Sequence, residues 1–378
     1  MNSEMKIFLI LILFGSISSS AADINSVPIQ VGGIYTAVNM PYISVTLCVP
    51  GSNDCQTISN IRLDSGSTGL RLKSSAVTIN LNPETDSSQS QVAECWRFGG
   101  GEVLWGPVVQ ADIILANERA QSVPIQLVNP AFASVPSNCS NLNISMSENG
   151  VLGVGVGISD IGNGFLRGDI YYLCTGSTCT PASIPLALQI PNPVSMMPED
   201  NNGVTISFPA VPPEGSSSVT GSLVLGIGTN ENNQPSSGTT VFQTDPMGWF
   251  KATFQGGTYY TMFDTGTPMI NPPTAFVAPN CSAYGWITPW ICPTTPLSLS
   301  AILESMDGST TQTINFNIGN AGTLMPTGAK AFNDVGYQVG GLTSNSFNLG
   351  ISFFYGKSVY FGINQKSTPL GMGPFSAF

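Results

Sequence analysis

Two short segments carry residue types that could perform acid-base chemistry: Asp64-Ser65-Gly66-Ser67 and Asp264-Thr265-Gly266-Thr267. Taken singly, each is ordinary turn composition, because Asp, Ser and Gly all favour tight turns. Their recurrence in one form, each at the end of an apolar run (IRL and TMF), is what chance rarely supplies. Two carboxylates a few ångströms apart cannot both ionise easily, so one keeps a proton and the other does not. A water between them meets a base and an acid together, which is what hydrolysis of a peptide bond requires. Gly66 and Gly266 would let two loop backbones approach closely, while Ser67 and Thr267 can donate to the carboxylates and orient them.

The remaining composition narrows the chemistry further. The chain of 378 residues contains no histidine, so it cannot build a Ser-His-Asp triad, a Cys-His pair or a His-ligated zinc site. Eleven Lys+Arg against 22 Asp+Glu give a net charge of −11, too acidic for nucleic acid or an anionic membrane surface as partner. The run Gly150 to Gly157 lacks the lysine and helix of a phosphate loop and reads as strand and turn. Glu199-Asp200-Asn201-Asn202-Gly203 lacks the register of a calcium loop and reads as a turn. No metal and no cofactor are expected.

These carboxylates must be positioned by strands. Hydrophobic residues make up 42% and charged residues 9%, with 41 Gly and 28 Pro, so long helices are not expected. Short alternating or β-branched runs recur between Gly, Pro and Asn clusters: YISVTLC, QTISNIRL, QADIILA, VPIQLV, GVTISFP, GSLVLGI, WFKATFQ, TYYTMF, QTINFNI and KSVYFGI. Gly256-Gly257 marks a hairpin between two of them. Each tetrad follows an expected hairpin and precedes an apolar-Gly step, Val151-Leu152-Gly153 and Asn348-Leu349-Gly350, with the glycines 89 and 86 residues beyond Asp64 and Asp264. Two copies of one lobe account for this. The apolar-free stretch Thr229 to Gly238 separates them, giving an all-β, bilobal chain with lobes at 23–230 and 231–378.

At the N-terminus, one lysine, an apolar run from Ile7 to Phe14 and small residues ending at Ala21-Ala22 read as a cleaved signal peptide over residues 1–22, with Met1 or Met5 as the start. The mature protein would begin near Asp23, in the periplasm or outside the cell, without stable membrane insertion and as a monomer. Export makes the eight cysteines candidates for four disulfides. Local order pairs Cys48 with Cys55, Cys174 with Cys179 and Cys281 with Cys292, which leaves Cys95 with Cys139. Trp286 and Trp290 fall inside the Cys281 to Cys292 loop, where they are expected to pack beneath it.

The motifs DSGSTG, VLGVG, DTGT and LGISFFYGKSVYF, in this order from about Ile43 to Ile363, resemble those of the pepsin-like aspartic peptidases. The resemblance implies a bilobal β fold with Asp64 and Asp264 as catalytic residues, one per lobe. It also implies a cleft for a peptide or protein substrate, a hairpin flap, and an interlock of Ser65 with Thr265 across the pseudo-twofold axis. A closer similarity is to an uncharacterised family of exported bacterial proteins, a domain of unknown function. It rests on AEC-x-x-F-G-x-G-x-x-x-WGPV at Ala93 to Val108, NPV and DNNGV between Asn192 and Val204, GSLVLGIGT at Gly221 to Thr229, and the LGISFFYGKSV ending.

Three positions depart from the pepsin pattern. The expected flap, Phe98-Gly99-Gly100-Gly101, has phenylalanine where pepsins carry tyrosine; Arg71 replaces a common tryptophan and is expected at the substrate cleft, where a cation near Asp64 would favour its ionised form; Pro268 follows the second tetrad. The expected function is an exported aspartic endopeptidase, with a rate optimum below about pH 6 given ordinary carboxylate values near 4. The alternatives are a catalytically silent binding or inhibitor protein on the same fold and an envelope structural or adhesion protein.

Overall fold

Alternation of buried and exposed side chains organises the strands. In Thr311–Ile318 the side chains of Ile314, Phe316 and Ile318 turn inward while their neighbours face solvent, the period of two that a half-buried strand requires. The Gly203–Ser207 strand is instead buried almost throughout, Thr205 included, because it is covered on both faces. The computed structural model describes residues 24–139, 146–161, 170–285, 290–338 and 345–378. The expected signal segment 1–22, Asp23 and Trp286 lie outside these residues. All ten expected runs form strands, and the α-helix among the described residues is a single turn, Ala321–Leu324. No described helix is long and apolar enough to cross a membrane.

The strands form a 16-stranded sheet, a six-stranded sheet and a small two-stranded ribbon. Within the largest, Ser26–Gly32, Ser218–Leu225, Gly203–Ser207, Ser358–Gly362, Phe375–Ala377 and Val241–Gln243 pair in succession, all antiparallel. Strands from either side of the Thr229 to Gly238 stretch therefore share hydrogen bonds. The two halves meet again at buried Asn39, whose side chain bonds the backbone N–H and C=O of Phe332 and the hydroxyls of Ser352 and Tyr355.

A hairpin precedes each tetrad. Pro41–Cys48 pairs with Cys55–Asp64, and Phe250–Phe254 with Gly257–Asp264. The second turn is centred on Gln255-Gly256, at φ +49° and +82°, one residue earlier than the Gly-Gly pair suggested. Two successive left-handed residues match the twist of a two-residue hairpin, and Gly257 is then free to begin the strand. Below the second tetrad, Phe263 stacks on Phe353 at 5.0 Å and packs on Phe250 at 5.1 Å, so the strand entering Asp264 rests on a buried aromatic floor.

All four disulfides join the cysteines that local order paired. Cys48–Cys55 and Cys174–Cys179 each close a hairpin at directly opposed positions. Cys95–Cys139 instead ties the Gln91–Arg97 strand to a distant loop.

Candidate active site

The same arrangement of strands holds each tetrad. Cys55–Asp64 runs parallel to Gly150–Val154 with Asp64 opposite Gly153, and Thr68–Lys73 returns antiparallel on the other side of that strand. Gly257–Asp264 runs parallel to Ser346–Gly350 with Asp264 opposite Gly350, and Ile270–Asn271 returns antiparallel. Glycine is required at both opposed positions because the loop folds back directly onto them. A Cβ would stand 2.6 Å from the Thr68 nitrogen at Gly153 and 2.2 Å from the Met269 oxygen at Gly350.

The two loops lock through reciprocal bonds. The Ser65 N–H donates to the Thr265 hydroxyl and the Thr265 N–H to the Ser65 hydroxyl, both at 3.0 Å. Those hydroxyls then donate onward to the Phe263 and Leu63 carbonyls at 3.0 and 2.9 Å. Each hydroxyl thus donates once and accepts once, which leaves no buried polar group of the lock unpaired.

Each carboxylate is held by its own tetrad. Gly66 N–H donates to Asp64 Oδ1 at 2.8 Å and the Ser67 hydroxyl to Oδ2 at 2.6 Å; Gly266 N–H and the Thr267 hydroxyl repeat this on Asp264 at the same distances. The carboxylates also face one another across the glycines. A Cβ on Gly66 would lie 2.6 Å from Asp264 Oδ1, and one on Gly266 would lie 2.5 Å from Asp64 Oδ1. Both aspartates are more than nine-tenths buried. Burial first, and the neighbouring Asp64 charge second, push Asp264 up to about 7. Asp264 therefore keeps its proton over most of the acid range.

The expected flap residues form the turn of a hairpin between Gln91–Arg97 and Val103–Leu115. Phe98 N–H bonds the Glu102 carbonyl at 2.9 Å and Gly101 N–H bonds the Phe98 carbonyl at 3.0 Å, with Gly101 at φ +92°. The phenyl ring lies edge-on to Trp96 and against the guanidinium of Arg62, 5.4 Å from the ring centre.

Arg71 pairs with acids other than Asp64. Its guanidinium is fully buried, forks onto Glu94 at 3.1 and 2.6 Å, reaches Asp160 at 2.8 Å and the Thr68 carbonyl at 2.7 Å, and stacks 3.8 Å above Trp96. The cause is chemical. Glu94 and Asp160 are buried acids that need a cation, and the planar fork of arginine meets both where an apolar ring could meet neither. The Tyr171 hydroxyl also bonds Asp160 at 2.8 Å, and burial, with Glu94 close by, holds Asp160 well above the carboxylate range. One cation between two acids leaves a proton in the cluster.

Arg62 is the cation that sequence reasoning missed. It precedes Asp64 by two residues, so strand alternation places both side chains on one face, and the Asp64 charge acts on its guanidinium. That alternation was readable; its partners, Glu102 at 3.1 Å and Glu148 at 3.2 Å, were not. Away from the tetrads, Trp290 packs edge-on against Tyr337, and Asp200 accepts bonds from Thr229 and Asn230 as a turn residue would.

Two strand-and-loop copies facing one another across a pseudo-twofold axis define the pepsin-like aspartic proteinase fold. The crystal structure of aspartic proteinase from Irpex lacteus is similar, with a TM-score of 0.55 over 93% of this chain and 96% of that chain, at 14% identity. The chain belongs to the family described as Protein of unknown function (DUF3443), which matches residues 21–378. No curated protein matches the sequence.

Proposed function

We propose that the protein is an exported aspartic endopeptidase in which Asp64 and Asp264 activate one water against a peptide bond. The observation that carries this reading is the mutual placement of the two carboxylates, each against the glycine of the opposite tetrad and each fixed by its own N–H and hydroxyl donors. In this reading the ionised carboxylate takes a proton from water as its oxygen attacks the carbonyl carbon. The protonated one, assigned to Asp264, donates to the carbonyl oxygen. The tetrahedral diol then collapses, the C–N bond breaks, and the amine leaves with a proton returned from the pair. The roles belong to the coupled pair rather than to either residue alone.

Four disulfides support an oxidising destination, periplasmic or extracellular. Both tetrads lie in one chain, so a monomer suffices. The expected experiment is a screen of denatured proteins at several pH values. Cleavage should follow a bell-shaped profile whose upper limb falls through about pH 7, where Asp264 ionises. This is compatible with an optimum below about pH 6 and extends the falling limb beyond an unperturbed carboxylate. A rate that climbs steadily to pH 8 would remove the aspartates as acid and base.

A silent peptide-binding protein is the second reading, and Phe98 favours it, because its ring brings no hydroxyl to the cleft. An inert wild type that still binds a partner tightly would select that reading.

A further inference from the structure

The Phe98–Glu102 turn is held down by ions as well as by its own hairpin. On one side, Glu102 projects from the turn and its carboxylate meets the Arg62 guanidinium at 3.1 Å. On the other, Phe98 lays its ring against the same guanidinium. Arg62 is fixed from behind by Glu148 at 3.2 Å, which is nearly buried, and by the position of its strand, whose next inward residue on that face is Asp64. Tyr42 stands directly opposite Arg62 on the neighbouring strand, with Tyr35 packed on it at 4.1 Å. Two acids and the Phe98 ring thus meet one cation beside the first tetrad, with Tyr42 opposite it on the neighbouring strand.

The pairs differ in exposure. Glu148 is 6% exposed and Glu102 is 36% exposed, so Glu102 is the partner that water and an incoming chain can reach. Lifting the turn would break the Glu102 contact, the ring contact to Arg62 and the packing of Phe98 on Trp96. The Arg62 to Glu148 pair would remain, and no buried charge would be left alone, which keeps such a motion inexpensive.

We propose that Arg62 is a positioning residue that latches the Phe98–Glu102 turn beside Asp64, and that release of Glu102 from Arg62 is the step that opens the cleft to a peptide. This inference rests on reading the hairpin as a cover for the aspartate pair. Its test needs no turnover, so it can fail or succeed independently of that reading.

The measurement is amide hydrogen exchange across the whole chain at pH 6, for wild type, Glu102→Gln and Glu102→Asp, at low and high salt. Glu102→Gln should speed exchange of residues 98–102 by roughly threefold to tenfold, with the core strands unchanged, as expected for loss of a half-exposed ion pair worth about 1 kcal/mol. Glu102→Asp, which keeps the charge, should restore most of the protection. High salt should speed flap exchange in wild type and have little effect in Glu102→Gln, a dependence that packing alone would not produce. Unchanged flap exchange in Glu102→Gln, or equal salt sensitivity in wild type and Glu102→Gln, would overturn the proposal. Acceleration spread evenly over all strands would do the same, because it would mean general destabilisation.

Discussion

At the scale of single residues, the site is defined by what the glycines lack. Gly66 and Gly266 leave room for the carboxylate of the opposite loop, and the 2.5 to 2.6 Å approaches mean that even alanine would displace it. Burial first, and the close approach of Asp64 second, raise Asp264. A group whose folded pKa lies above its unfolded value, about 4 here, stabilises the fold fully below that value and loses the contribution as pH rises. For Asp264 the loss runs from about pH 4 through about pH 7. Asp264→Asn removes this titration. Its melting temperature should match or fall slightly below wild type at pH 4 and exceed it by several degrees at pH 8. Parallel curves for the two proteins would show that the carboxylate is not buried in charged form.

At the scale of elements, two ionic clusters grip the Gln91–Arg97 and Val103–Leu115 hairpin at different heights. Arg62 holds the turn, while Arg71 holds Glu94 in the strand below it, close to where Cys95–Cys139 roots the same strand. The lower cluster is fully buried, so its loss should cost far more than loss of the upper one. Arg71→Leu leaves Glu94 and Asp160 facing one another without a cation, and denaturant titration at neutral pH should show about 3–5 kcal/mol of destabilisation. Part of that loss should be recovered at low pH, where both acids can be protonated. A variant as stable as wild type at pH 7 would mean that the cluster is not an ion pair.

The same elements show how far the sequence could be read. Strands, hairpins and disulfides follow from local patterns: alternation in QTINFNI, the Gly256-Gly257 pair within one residue of the observed turn, and cysteines separated by a few turn residues. The tetrads and their glycine steps were legible because a symmetric fold repeats its requirements, and Asp64 opposite Gly153 mirrors Asp264 opposite Gly350. Arg71 was misplaced because neither its spacing nor its neighbours identify Glu94 and Asp160, 23 and 89 positions away, as its partners. Long-range charge pairing leaves no local trace. The choice of Arg62 over Arg71 as the cation near Asp64 could have come only from strand alternation.

At the scale of the whole molecule, the central sheet joins the two halves, and the Ser65 to Thr265 lock holds their loops in register. In the proposed mechanism each aspartate is useless without the other, since one carboxylate cannot be base and acid in the same step. The most direct test is hydrolysis of a denatured protein at pH 4 to 6 by wild type, Asp64→Asn and Asp264→Asn, with folding of each variant checked by circular dichroism. Both variants should fold and lose at least about a thousandfold in rate, the scale of losing a positioned acid or base. Turnover in either folded variant equal to that of wild type would contradict the account.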